Sequence, residues 1–111
     1  MAIAAAQKAW LSGLRDNTLT FMETLKIPGQ TGRFKPCRLG VCGAGEQAAL
    51  GFSCFAHKIY YSLGLWETLS PQDQTAWLDF IRSFQNHDGL PPQGRWADAF
   101  IDPHLLAGIR K

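Results

Sequence analysis

The chain has 111 residues, 46% of them hydrophobic and 18% charged, which is enough apolar material for one core and too little length for two ordinary domains. Eleven Lys and Arg against nine Asp and Glu give a net charge of +2, scattered along the chain; this excludes the basic face that phosphate neutralisation requires, and no nucleic-acid partner is expected. Three cysteines cannot all pair within one chain, so free thiols or a metal in a reducing compartment are expected rather than a disulfide framework.

The N-terminus, MAIAAAQKAW, is apolar for six residues with no positive charge before that run, unlike a secretory signal. No later segment reaches the roughly 18 uninterrupted apolar residues that would cross a bilayer. A cytoplasmic protein without a membrane span is the expectation. Within residues 3–25, Trp10, Leu14, Phe21 and Leu25 recur at spacings of 4, 7 and 4, which predicts a helix with these four on its inward face. Asp16, Asn17 and Thr18 compete for backbone hydrogen bonds, so a break into two shorter helices is anticipated there. Ile27-Pro28-Gly29 ends the helical region.

Residues 30–45 are rich in glycine and basic residues and show no sustained period, which predicts a long loop. Residues 46–64 place Phe52, Phe55, Ala56, Ile59 and Leu63 on one stripe, with Ala48, Ala49 and Cys54 around it, as in a buried helix. Gly51 within it suggests close approach of a neighbouring helix, and Gly64 is placed to stop it in the left-handed conformation. Ser70 as N-cap, Pro71 at the first helical position and Asp73 in the first turn start the next helix. That helix carries Trp77, Phe80, Ile81 and Phe84 inward and is predicted to run to about Gln85, stopping before Asp88-Gly89. A last helix is predicted from Pro103 to Ile109, capped by Asp102, with Leu105, Leu106 and Ile109 inward. No segment alternates as a strand does. The predicted class is all-α, built of antiparallel helical hairpins in a single domain spanning 1–111.

Four residues, Cys37, Cys42, Cys54 and His57, form the pattern C-x4-C-x11-C-x2-H, and three thiolates with an imidazole would complete a tetrahedral zinc shell. The competing reading makes Cys54 a core cysteine acting as a small hydrophobe and leaves the protein without a cofactor. His87 and Asp88, joined by Asp98, Asp102 and His104, would form an acid and base group; His87 reads more simply as a cap on a helix C-terminus. Arg33, Lys35, Arg38 and Lys58 read first as solvated surface, and if gathered would receive an anion such as a diphosphate.

In the stretch FIRSFQNHDGLPPQGRW, Gln85 sits at a helix C-terminus and Trp96 follows a flexible Gly94, so that the two would act as a clasp between consecutive hairpins. Phe80, Ile81, Gln85, Gly94 and Trp96, with Asp88-Gly89, resemble the glutamine and tryptophan repeat of the squalene cyclase and protein prenyltransferase superfamily. Eight residues separate Gln85 from Gly94 here, including Pro91 and Pro92. The resemblance spans roughly residues 70–106 and implies an α/α-toroid architecture in which Gln85 and Trp96 brace helix ends. It implies no catalytic residue: the cyclases' Asp-x-Asp-Asp run has no counterpart, and Asp98 and Asp102 stand too far apart to replace it. A twelve-helix toroid needs on the order of 200 residues or more, so the chain is expected to be an N-terminal fragment of such a barrel, or a small module that completes its core by association. The leading expectation is a non-catalytic module whose exposed helix faces bind a second copy or another protein. The alternative is an enzyme or enzyme fragment acting on an isoprenoid or other apolar substrate, with Phe52, Trp77, Phe80 and Trp96 lining its cavity.

Overall fold

The computed structural model describes residues 4–41, 43–90 and 94–105. Among these the chain is mostly helical: α1 (Ala5–Leu25), the short α2 (Gly43–Gln47), α3 (Leu50–Ser62), a 3₁₀ turn (Trp66–Thr68) and α4 (Pro71–Arg82). Two two-residue strands, β1 (Gln85–Asn86) and β2 (Ala99–Phe100), pair antiparallel with Gln85 opposite Phe100. Periodicity missed them because two residues are too few to alternate.

α1 is continuous across Asp16, Asn17 and Thr18, so the anticipated break is absent. The Thr20 hydroxyl donates back to the Asp16 carbonyl at 3.0 Å, keeping the local hydrogen-bonding competition within the helix. At its start, the Gln7 side-chain oxygen accepts from the Ala4 N–H. Only the C-terminal part of α1 is packed, through Leu19, Met22 and Leu25, while Arg15 ties its middle to the Gly64 carbonyl at 3.2 Å. Trp10, Leu14 and Phe21, predicted inward, are exposed, Trp10 at 66%. At about 100° per residue the packed row of Arg15, Leu19 and Met22 lies roughly a third of a turn around the helix from the Trp10, Leu14 and Phe21 stripe. The projecting helix makes the molecule 58 Å long, with a radius of gyration of 17.2 Å, against about 13 Å for a compact chain of this size.

After α1 the chain reverses at once. Lys26 bridges Phe34, with Ile27 N–H donating to Arg33 and Lys35 N–H to Leu25. The predicted loop therefore begins as a tight return that delivers Phe34 into the core beside Tyr60 and Trp77. Gly32 sits in this return at φ +92°, and a Cβ there would meet Trp77 at 2.8 Å, so glycine is required both for its conformation and for space.

On α3 the packed face is Ser53, Ala56 and Tyr60, rotated from the predicted stripe; Phe55 and Ile59 are exposed, and Phe52 and Leu63 are half-buried. The reason is Trp77, which packs against this small-residue face and donates its indole N–H to Ser53 Oγ at 2.9 Å. Gly64 does end α3 at φ +69°, where Leu65 N–H reaches the Tyr60 carbonyl and Gly64 N–H the Tyr61 carbonyl, the paired bonds of a Schellman stop. Gly51, by contrast, has no neighbour within 4 Å of a Cβ built on it, so no helix approaches closely there. Gly51→Ala is expected to stabilise the fold by about 0.5–1 kcal/mol through helix propensity, measured by urea denaturation.

α4 starts as predicted, with Ser70 Oγ accepting from the Asp73 N–H at 3.1 Å and Pro71 at the first position. It ends at Arg82 rather than near Gln85, because Gln85 belongs to β1. Phe80 packs edge-on against Phe84 at 5.3 Å between ring centres. Residues 103–105 are helical, as expected of the last helix, but Leu105 is exposed rather than inward; Leu106 and Ile109 lie outside the described residues.

Candidate functional site

The best-built centre is aromatic. Trp77, 2% exposed, is surrounded by Phe34, Tyr60, Trp66 and the ring of His57, with ring centres 5.0–5.9 Å from its own. His57 stands edge-on to Trp66 at 4.4 Å. Tyr60 has its phenol pushed up in pKa, chiefly by burial, and its hydroxyl lies 3.5 Å from Glu23 Oε1. Glu23 also pairs with Lys26 at 2.8 Å; burial would lower the Lys26 pKa, but that bond and the nearby Glu23 and Tyr60 raise it overall.

The four candidate metal ligands occupy different surroundings. Cys37 is exposed and its thiol donates to the Leu39 carbonyl at 3.0 Å; Cys54 is exposed on α3, its thiol pKa raised by partial burial; His57 belongs to the aromatic centre; Cys42 lies outside the described residues. Among the described residues no three His, Cys, Asp or Glu side chains gather as metal ligands would.

The four candidate cavity aromatics do not meet around one space. Trp77 borders a hollow of about 200 Å³ under the return at residues 26–32, Phe52 borders a groove of about 220 Å³ between α1 and α3, and Phe80 and Trp96 line neither. Phe55 and Ile59 of α3 line that groove together with Met22 and Leu25 of α1.

Residues 85–90 and 94–100 pair as the two arms of a small hairpin. Gln85 Nε2 donates to the Asp98 carbonyl at 3.0 Å, Asp98 N–H to the Asn86 carbonyl, and Leu90 and Arg95 exchange backbone bonds. Gly89 and Gly94 touch so closely that a Cβ on Gly89 would overlap the Gly94 carbonyl. Trp96, at φ +56°, is 67% exposed, and the bond closing this seam is made by Gln85 to the residue two beyond it. His87 Nδ1 lies 2.9 Å from Asp98 Oδ1, so His87 pairs with a carboxylate of the hairpin rather than capping α4.

Asp102 has a role that sequence spacing did not reveal. The hairpin ends with Ile101 N–H on the Phe84 carbonyl, and this carries Asp102 to the N-terminus of α3, more than fifty residues back. Its Oδ2 accepts from the N–H groups of Ala49 and Leu50 at 2.8 and 3.0 Å, and its Oδ1 accepts from the His104 N–H at 3.0 Å. The predicted cap of the following turn is thus also the cap of α3. Burial would raise the Asp102 pKa, but the three backbone donors and the nearby His104 side chain outweigh it and hold the carboxyl below its ordinary 3.8.

Of the four basic candidates, Arg33 is committed to Gln30 and to the Glu46 carbonyl, Lys58 is exposed on α3, and Lys35 and Arg38 border one hollow. Among the described residues, no helix is long and apolar enough to cross a membrane. Comparison of the chain with protein-family models, curated proteins and solved structures finds no match.

Proposed function

We propose that this chain is an α/α-hairpin module of the kind the cyclase and prenyltransferase toroids use, and that it works by assembly rather than by catalysis. The observation that supports this reading is the exposed stripe of Trp10, Leu14 and Phe21 on α1, accompanied by Phe55 and Ile59 on α3. Single exposed apolar residues are ordinary on a protein surface, but a row along a projecting helix is a surface awaiting a cover. Lys8, Arg15 and Asp16 lie more than roughly 100° around the helix from the centre of that row. Two copies packed stripe to stripe therefore bring no like charges together, which favours a second copy of the chain over an oppositely charged partner.

Light scattering across a range of concentrations tests the reading. The chain is expected to associate at micromolar concentration, and Trp10→Ser with Leu14→Ser to remain monomeric with an unchanged circular dichroism spectrum. A compact monomer at high concentration for the unaltered chain would contradict it.

A further inference from the structure

Between the return after α1 and the start of α2 lies an open hollow of about 500 Å³, bordered by Ile27, Pro36, Leu39 and Val41 on its apolar walls and by Lys35, Arg38 and Glu46. That volume is in the range of sites for small organic ligands. Leu39 at its edge is 88% exposed, an apolar side chain with nothing covering it. Neither Lys35 nor Arg38 forms an ion pair among the described residues. Two cations and one carboxylate leave a single net positive charge beside an apolar wall.

From this combination we propose that the hollow binds an amphipathic monoanion, an aliphatic carboxylate whose head group meets Lys35 and Arg38 and whose tail lies against Ile27, Pro36, Leu39 and Val41. Arg38 offers the planar fork suited to a carboxylate, and Lys35 a compact second charge. A multiply charged phosphate fits less well, because Glu46 repels the additional charge and the apolar wall has nothing to cover.

Calorimetric titration with decanoate tests this, using inorganic phosphate and uncharged decanol as comparison probes and working below the critical micelle concentration. Decanoate is expected to bind saturably, and decanol and phosphate at least about tenfold more weakly. Lys35→Gln with Arg38→Gln is expected to weaken decanoate at least about tenfold, and Leu39→Asp to weaken it as well. All three residues are exposed, so the variants should melt as the unaltered chain does. Unchanged decanoate affinity in the double variant, equal affinity for decanol, or tighter binding of phosphate would each overturn the assignment. The site does not involve the α1 stripe, so the titration stands apart from the assembly test.

Discussion

Trp77→Ala is expected to lower the free energy of unfolding by about 4 kcal/mol and the melting temperature by roughly 15 °C. Trp77 is the residue on which α3, α4 and the return after α1 converge: its ring meets Phe34, Tyr60, Trp66 and His57, and Gly32 is pressed against its side. Truncation removes the contacts of all of these at once and leaves a void that Ser53 and Ala56 are too small to fill. The indole N–H adds a separable part. Ser53 is fully buried and is the acceptor of that N–H, so Ser53→Ala strands the indole donor at a cost of about 1–3 kcal/mol. Trp77→Phe removes the donor and some volume together. A Ser53→Ala, Trp77→Phe double variant removes both polar groups and is expected to lose less than the sum of the two single changes. Urea denaturation of the four proteins measures the coupling, and strict additivity would mean the hydrogen bond contributes nothing.

Asp102→Ala is expected to cost about 2–3 kcal/mol, more than an ordinary exposed cap, because it leaves the Ala49 and Leu50 N–H groups without an acceptor at a buried helix start. Asp102→Asn keeps an acceptor and loses the charge, and should retain about half of that stability. The pH dependence separates charge from geometry. The folded carboxyl lies below its ordinary 3.8, so its stabilisation is complete above the unfolded value and fades as pH falls through the folded one. The stability gap between the unaltered chain and Asp102→Asn should therefore be widest near neutral pH and narrow below about pH 4. A gap that persists unchanged into acid would show that the carboxylate charge is not what α3 uses.

These two residues also mark where the sequence was legible and where it was not. The start of α4 could be read from Ser70, Pro71 and Asp73, and the stop of α3 from Gly64, because caps act over a few residues and their chemistry is local. The ends of α1 were readable from the sequence, but its continuity across Asp16, Asn17 and Thr18 and its packed face were not. That face depends on which side meets α3, and the Trp10, Leu14 and Phe21 row is more apolar than the Arg15, Leu19 and Met22 row that is used. The same holds in part for α3: Ala56 was predicted inward and is buried, but Phe55 and Ile59 drew the prediction as well and are exposed, while Ser53, which accepts from Trp77, was not foreseen. Small residues at helical spacing, with a tryptophan on the next helix, were the signal for that pairing. Phe34 was a lone aromatic in a loop rich in glycine and basic residues, and without a period around it the sequence reading gave it no role. Nothing local pointed to Asp102 reaching α3, since a contact across more than fifty residues leaves no periodic trace.

The hairpin between Gln85 and Phe100 shows the same division. Asp88-Gly89 was read only as the point before which the helix stops, and the close approach of the Gly94 carbonyl explains why residue 89 is glycine. The pairing of Gln85 with Phe100 brings Asp102 into place, so the segment works as the link from the end of α4 to the start of α3.

Amide hydrogen exchange, followed by mass spectrometry at several protein concentrations, tests most directly whether the α1 stripe is an assembly surface. The account predicts that protection over residues 5–21 rises with concentration, while protection over Ser53–Tyr60 in α3 is high and constant. Rapid exchange over residues 5–21 at every concentration would contradict it.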